Sequence, residues 1–303
     1  MSSVQEATAV RVAPRTTRSL KRQRSAQLVI RLIIAIVAVV FALFPIIWII
    51  SAAFNPTSSM ANQQLIPPNA STANFDELLK DPLHPFFLWV WNSIKVSSIT
   101  SALAVLITAL TAYSFSRFRF RGRRSLLLTI LLIQVFPNML AMVALFLLLR
   151  QLGEYIPSLG LNSHGGLILV YLGTQMGINI WLMKGFFDSI PRDIDESALV
   201  DGATHWQAFW RLIFPLVRPI LAVVGVLAFV GTFNEFVLAN VLLRSTEQFT
   251  LMVGLYIFVT QNFAQKWGIF AAGAIMGAVP IALIYVLLQD QIVGGLTQGA
   301  VKG

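Results

Sequence analysis

Apolar residues fall into six long runs separated by polar stretches: Leu32–Ala53, Val96–Phe115, Leu126–Leu149, Gly166–Met183, Ile213–Leu243 and Gly268–Gln289. A hydrocarbon core of about 30 Å takes about 20 mostly apolar helical residues. The pattern therefore predicts an all-α membrane protein with six transmembrane helices. The first run carries no charge between Leu32 and Ile50, and it is too long, and without a small-residue cleavage site, to be a cleaved signal peptide. The fourth is shorter and holds Thr174, Gln175 and Asn179. The fifth is too long for one straight span and carries Arg218, so it is predicted to start at the membrane surface after Pro215 and to break near Gly231. Pro137 and Pro280 predict kinks in the third and sixth. One membrane domain, 28–303, follows a basic tail, 1–27, and includes an external loop 54–91, a cytoplasmic loop 184–215 and a C-terminal tail 290–303.

The polar stretch from Pro191 to Pro215 reads as two short helices joined by a tight turn. Asp193 and Glu196 have capping-box spacing, with Asp in place of Ser or Thr, and Gly202 can take the left-handed conformation that closes a helix. Thr204 then starts a second helix, with Gln207 placed to reach back to the first orphan amides and with Trp206, Phe209, Trp210 and Ile213 ahead of Pro215. Such an apolar cluster on a polar connection fits docking into another protein's pocket; it also fits a hairpin packed on its own chain.

Composition agrees with a membrane protein: 56% of the 303 residues are hydrophobic and 12% charged. No cysteine is present, which excludes disulfides and thiolate metal sites. The net charge of +9 sits beside the ends of apolar runs instead of along a groove, which argues against a nucleic-acid partner. Seven cations from Arg11 to Arg31 precede the first run against the single acid Glu6, and Arg117, Arg119, Arg121, Arg123 and Arg124 join the second to the third. The loop Asn55–Trp91 has Lys80 against Asp76, Glu77 and Asp81. The positive-inside rule then places both termini, and the 184–215 loop, in the cytoplasm.

Chemistry-bearing sets are scarce. His84, His164 and His205 lie in different loops, no metal-ligand or catalytic spacing emerges, and no Gly-x4-Gly-Lys-Ser/Thr run is present, so neither a metal, nor catalysis, nor ATP binding is expected of this chain itself. Asn234, Glu235 and Asn240 lie in the fifth run. A carboxylate in a membrane is costly unless paired or wet. These residues suit either a pathway for hydroxyl-rich substrates or hydrogen bonds between subunits. An ion-gradient-driven secondary sugar transporter with Glu235 as its protonatable group is the competing class.

Glu196-Ser197-Ala198, Asp201-Gly202-Ala203 and Leu212-Ile213-Phe214-Pro215 resemble the EAA loop of binding-protein-dependent ABC importer permeases, with Ser197, Leu212 and Phe214 as departures. The stretches 88–93, 152–157 and 160–166, together with 295–303, resemble in particular the smaller permease of maltose and maltodextrin importers (the MalG type). The resemblance implies a type I ABC importer permease fold in a bacterial inner membrane. It implies as partners a second homologous permease, a dimer of ATP-hydrolysing subunits that bind ATP and Mg²⁺, and an external sugar-binding protein. It also implies that Glu196, Ser197, Ala198, Leu199, Asp201, Gly202, Ala203, Trp206, Phe209 and Pro215 couple to the ATPase, with Ala198 and Leu199 as the docking face and Trp206 and Phe209 behind it. Thr297, Gln298 and Lys302 would contact the ATPases from the tail. The loop with Gln261, Asn262, Phe263 and Gln265 would meet the binding protein; an ordinary interface contact fits that loop equally.

Overall fold

The computed structural model describes residues 17–57, 63–135, 138–260 and 266–300, with the side chains of 17–26, 138–139 and 292–300 left undescribed. Gln261, Asn262, Phe263, Gln265, Lys302 and Pro137, and the side chains of Thr297 and Gln298, thus lie outside the described residues. Every regular element among the described residues is helical.

The long helices are α1 (Thr17–Phe54), α3 (Phe86–Arg117), α6 (His164–Ser189), α9 (Phe214–Phe233) and α12 (Trp267–Ala300). Five apolar segments on these helices are long enough to cross a membrane. Between them in chain order lie α2 (Ala73–Lys80), α4 (Arg123–Val135), α5 (Asn138–Tyr155), α7 (Asp193–Val200), α8 (His205–Ala208), α10 (Val237–Leu242) and α11 (Leu251–Thr260). The centre of the bundle is α3 packed between α6 and α9, with α12 against α9 and α1 resting mainly on α12. From Leu28 to Ile50, α1 keeps its large apolar side chains exposed in the isolated chain, apart from the half-buried Trp48.

Four features refine the expected spans. The third span is a bent pair, with α4 at 104° to Leu140–Tyr155. The fifth span breaks, as expected near Gly231, at Asn234–Phe236, three residues beyond that glycine, which itself stays helical. The break is made by Glu235, whose carboxylate accepts from the Leu238 amide (2.8 Å) and the Ala239 amide (3.1 Å), two orphan donors at the start of α10. Third, a buried apolar helix, α11, occupies what the sequence suggests is only connection. At ten residues it is about 15 Å long, too short to span. Last, α12 continues through Pro280 to Ala300, so the glycine-rich tail begins as helix.

The end of the bundle that carries α10 and α11 is closed by neutral side chains bonded to backbone. Trp89 Nε1 donates to Thr246 O (2.9 Å), and Asn92 Nδ2 donates to Glu247 O and Phe249 O (2.8 and 3.0 Å). Ser93 Oγ accepts from the Leu251 amide at 2.8 Å. Asn162 Oδ1 accepts the amides of Arg244 and Ser245, and the Asn162 amide donates to Leu242 O. The loop bearing Asn162 crosses close over α5: a Cβ on Gly160 would stand 2.5 Å from the Gly153 Cα.

Candidate functional site

The hairpin forms at the opposite end. Helix α7 closes with the backbone pattern of a Schellman motif: the Ala203 amide bonds Ala198 O (2.9 Å) and the Gly202 amide bonds Leu199 O (3.1 Å). Gly202 has φ +85°, a conformation that side chains with a Cβ resist. Thr204 then caps α8 with both bonds of a capping box: its Oγ1 accepts from the Gln207 amide (3.2 Å), and Gln207 Oε1 accepts from the Thr204 amide (2.8 Å). The corresponding box at Asp193 does not form. Asp193 is already the first helical residue, and Arg192, in the cap position, is helical and makes no side-chain cap bond.

No break occurs at Pro215. Phe209–Ile213 forms a π-turn, in which the Phe214 amide reaches Phe209 O, and the chain runs as one helical rod from His205 to Phe233. The wider turn fits a proline that has no amide to give, and α8 runs on into the span α9 without interruption. The second helix of the hairpin and the start of the span are therefore one continuous element.

The sides of the hairpin differ. Ala198, Ala208, Phe209 and Ile213 are buried against their own chain, with the Phe209 ring 4.9 Å from that of Tyr113 and in one cluster with Met183 and Phe187. Phe209 is thus a core residue beneath the hairpin. Facing out are Glu196, Ser197, Asp201 and Gly202, together with Leu199, Val200 at 88% exposure and Trp206 at 61%. Trp206 stacks on Phe209 at 6.4 Å and meets Trp210 edge-on at 5.5 Å, so it stands out from an aromatic base. Ala203 is half-buried and Pro215 exposed. One face of the hairpin thus belongs to the chain's own core, and the other is exposed.

A clamp that the sequence does not reveal fixes the hairpin. Arg117, at the last turn of α3, places Nε 2.7 Å from Asp195 Oδ2, and both side chains are less than 10% exposed. Its remaining nitrogens donate to Phe187 O (3.0 Å), which also accepts the Ile190 amide, and to Ile190 O (3.1 Å), where α6 ends. Tyr113 Oη donates to Asp195 Oδ1 at 3.1 Å, and Arg192 donates to Ser116 O at 3.1 Å. Three elements, α3, α6 and α7, meet in this one network. Arg117 reads as one of five topogenic arginines, and Asp195 as one of three acids on α7; their 78-residue separation hides the pairing.

Within the bundle, Glu235 accepts from Tyr171 Oη at 2.6 Å as well as capping α10, so its carboxylate is engaged inside the chain. Gln175 Nε2 donates to Thr232 Oγ1 at 2.6 Å. Asn234 and Asn240 are exposed. A cavity of about 530 Å³ between α4, α5 and α6 is lined by residues that include Thr129, Gln134 and Thr174.

A multi-pass helical bundle with a clamped polar hairpin continuous with a span is the architecture of a membrane permease subunit. The chain belongs to the binding-protein-dependent transport system inner membrane component family, which matches residues 102–294. It is 42% identical over 273 residues to the maltose/maltodextrin transport system permease protein MalG of Vibrio vulnificus, covering 86% of this chain and 91% of that one. It is 41% identical over 274 residues to the galactooligosaccharides transport system permease protein GanQ of Bacillus subtilis, covering 90% and 94%. A chain of a bacterial ABC transporter involved in import of the acidic polysaccharide alginate superposes with a TM-score of 0.74 at 27% identity, over 92% of this chain and all of that one. The protein is thus a multi-pass inner-membrane permease subunit of an ABC importer for oligosaccharides, a transport subunit and not an enzyme.

Proposed function

We propose that this chain couples nucleotide-driven closure of an ATPase dimer to alternating access of a pore that it forms with a second, homologous permease. Its cargo in this reading is a maltodextrin-type oligosaccharide delivered by an external binding protein. The positive-inside distribution supports a cytoplasmic position for both termini and for the α7–α8 hairpin. ATP and Mg²⁺ belong to the ATPases; this chain contributes the joint. The ion-driven alternative gives way to membership of the importer family.

The carrying observation is the exposed rim of Leu199, Val200 and Trp206 on a hairpin whose inner face is held by the Arg117–Asp195 clamp and whose second helix runs unbroken into α9. A helix pressed by a moving partner transmits rigid-body motion only if its base cannot yield, and this base is tied to α3, α6 and α9. Glu196, Ser197 and Asp201 surround the rim and offer it hydrogen-bonding groups. The carboxy-terminal residues Thr297, Gln298 and Lys302 add contacts between the ATPases, and the loop with Gln261, Asn262, Phe263 and Gln265 meets the binding protein. Asn234 and Asn240 border the sugar route, with Glu235 holding the α9–α10 break in shape.

The experiment is co-purification of the chain with its partner permease and ATPase after Val200→Asp or Trp206→Asp. Both variants keep the permease pair and lose the ATPase. An ATPase that remains bound and sugar-stimulated in both would overturn the docking reading. Sugar binding by the cognate external protein decides the cargo: a maltodextrin carries the reading, a galactoside or uronide replaces it.

A further inference from the structure

Near the hairpin, the start of α4 and the end of α6 border an open cavity of about 560 Å³ lined by Phe120, Arg123, Arg124, Ser125, Leu127 and Lys184, among others. Arg123 and Arg124 have no carboxylate partner among the described residues. Lys184 pairs with Asp188, which Ser116 Oγ also engages at 2.7 Å, so the carboxylate nearest the cavity is already occupied. The amides of Arg124 and Ser125 open α4 without an acceptor, while the Leu126 amide bonds Gly122 O. Two cations without an ion pair among the described residues (Arg123 near enough to Asp188 to act on it electrostatically), a third beside them, a hydroxyl and the positive end of a helix converge on one hollow, a donor set suited to phosphate.

Phosphate can arrive free or on a lipid, and the walls favour the second. Phe120 and Leu127 supply apolar sides, and Leu128, Leu131 and Leu132 continue exposed along α4. Trp181, exposed, donates Nε1 to Leu127 O (3.2 Å) and marks the border between charged hollow and apolar strip. A ligand with a phosphate head and long apolar tails matches both parts. We infer that this cavity binds the headgroup of an anionic phospholipid, with its acyl chains along α4. The inference rests on α4 lying in the membrane and is independent of the sugar and of the ATPase contact.

The test uses the importer complex, with its partner subunits, in nanodiscs of phosphatidylcholine. Trp181 fluorescence, isolated by subtracting the Trp181→Phe complex, is quenched by brominated phosphatidylglycerol or brominated phosphatidylcholine. The native complex shows a preference for the anionic lipid, and Arg123→Gln with Arg124→Gln lowers it by roughly 25-fold, at about five-fold for each cation removed. Arg119→Gln with Arg121→Gln removes equal charge from the same loop outside the cavity and leaves the preference in place. Ser125→Glu abolishes it while keeping every cation, and serves if the double variant does not assemble. Equal losses in the two double variants, or no preference in the native complex, would overturn the site. Saturable displacement of the lipid by inorganic phosphate would assign it to a free anion instead.

Discussion

The two ends of the bundle are built from different chemistry. At the α10–α11 end, Trp89, Asn92, Ser93 and Asn162 hold loops by hydrogen bonds between neutral groups and backbone, and the glycines at 153 and 160 let segments touch. At the hairpin end the anchor is a buried ion pair, and the large apolar side chains of Val200 and Trp206 are left outside. The contrast separates two tasks. Neutral bonds to backbone close a surface on itself. A buried charge pair costs desolvation and contributes little net stability, but it punishes any displacement of one partner, which suits the coupling role proposed above.

The largest effect expected is from Asp195→Ala, which strands a buried guanidinium: a loss of about 3–5 kcal/mol in thermal or denaturant unfolding of the purified complex. Arg117→Met combined with Asp195→Leu recovers much of that stability while transport-coupled ATP hydrolysis stays impaired. Recovery of both would reduce the clamp to a fold determinant. At the other end, Gly160→Ala forces a Cβ onto the Gly153 backbone and costs about 1–3 kcal/mol, read from the same melts. Asn92→Leu comes next, leaving the Glu247 and Phe249 carbonyls without their donor at about 1–3 kcal/mol, and it leaves ATPase assembly untouched. Thr204→Ala removes the capping box for about 1 kcal/mol. Smallest in stability, within about 0.5 kcal/mol, is Trp206→Ser, because the ring is exposed; its effect falls on ATPase assembly instead. If Trp206→Ser melts the bundle, or Asn92→Leu uncouples it, the division between the two ends is wrong.

Much of the hairpin was readable before any fold. Gly202 and Thr204 act through residues one turn away, so their roles follow from spacing alone. Asp193 misled because capping depends on the backbone angle of the residue ahead of it, and Arg192 is helical. Trp206 and Phe209 are expected together behind the docking face; three residues apart, they lie on one side of the helix, and only the packing of Tyr113 and Phe187 decides that Phe209 is covered while Trp206 stands out. Pro215 signals a helix boundary in isolation, whereas the π-turn before it absorbs the missing donor. Among the polar residues of the bundle, Glu235 was correctly singled out as needing a partner, but the partner, Tyr171, lies 64 residues away.

Hydropathy period, charge asymmetry and short-range caps are local properties, so the chain alone determined six spans, their expected direction, and a glycine-closed hairpin with an importer's motif. The Arg117–Asp195 clamp, the break at Glu235, the burial of α11 and the sorting of hairpin residues into core and rim were decided by tertiary structure. Each depends on which distant groups meet in a medium too poor in water to satisfy them separately, and no one-dimensional pattern encodes that meeting.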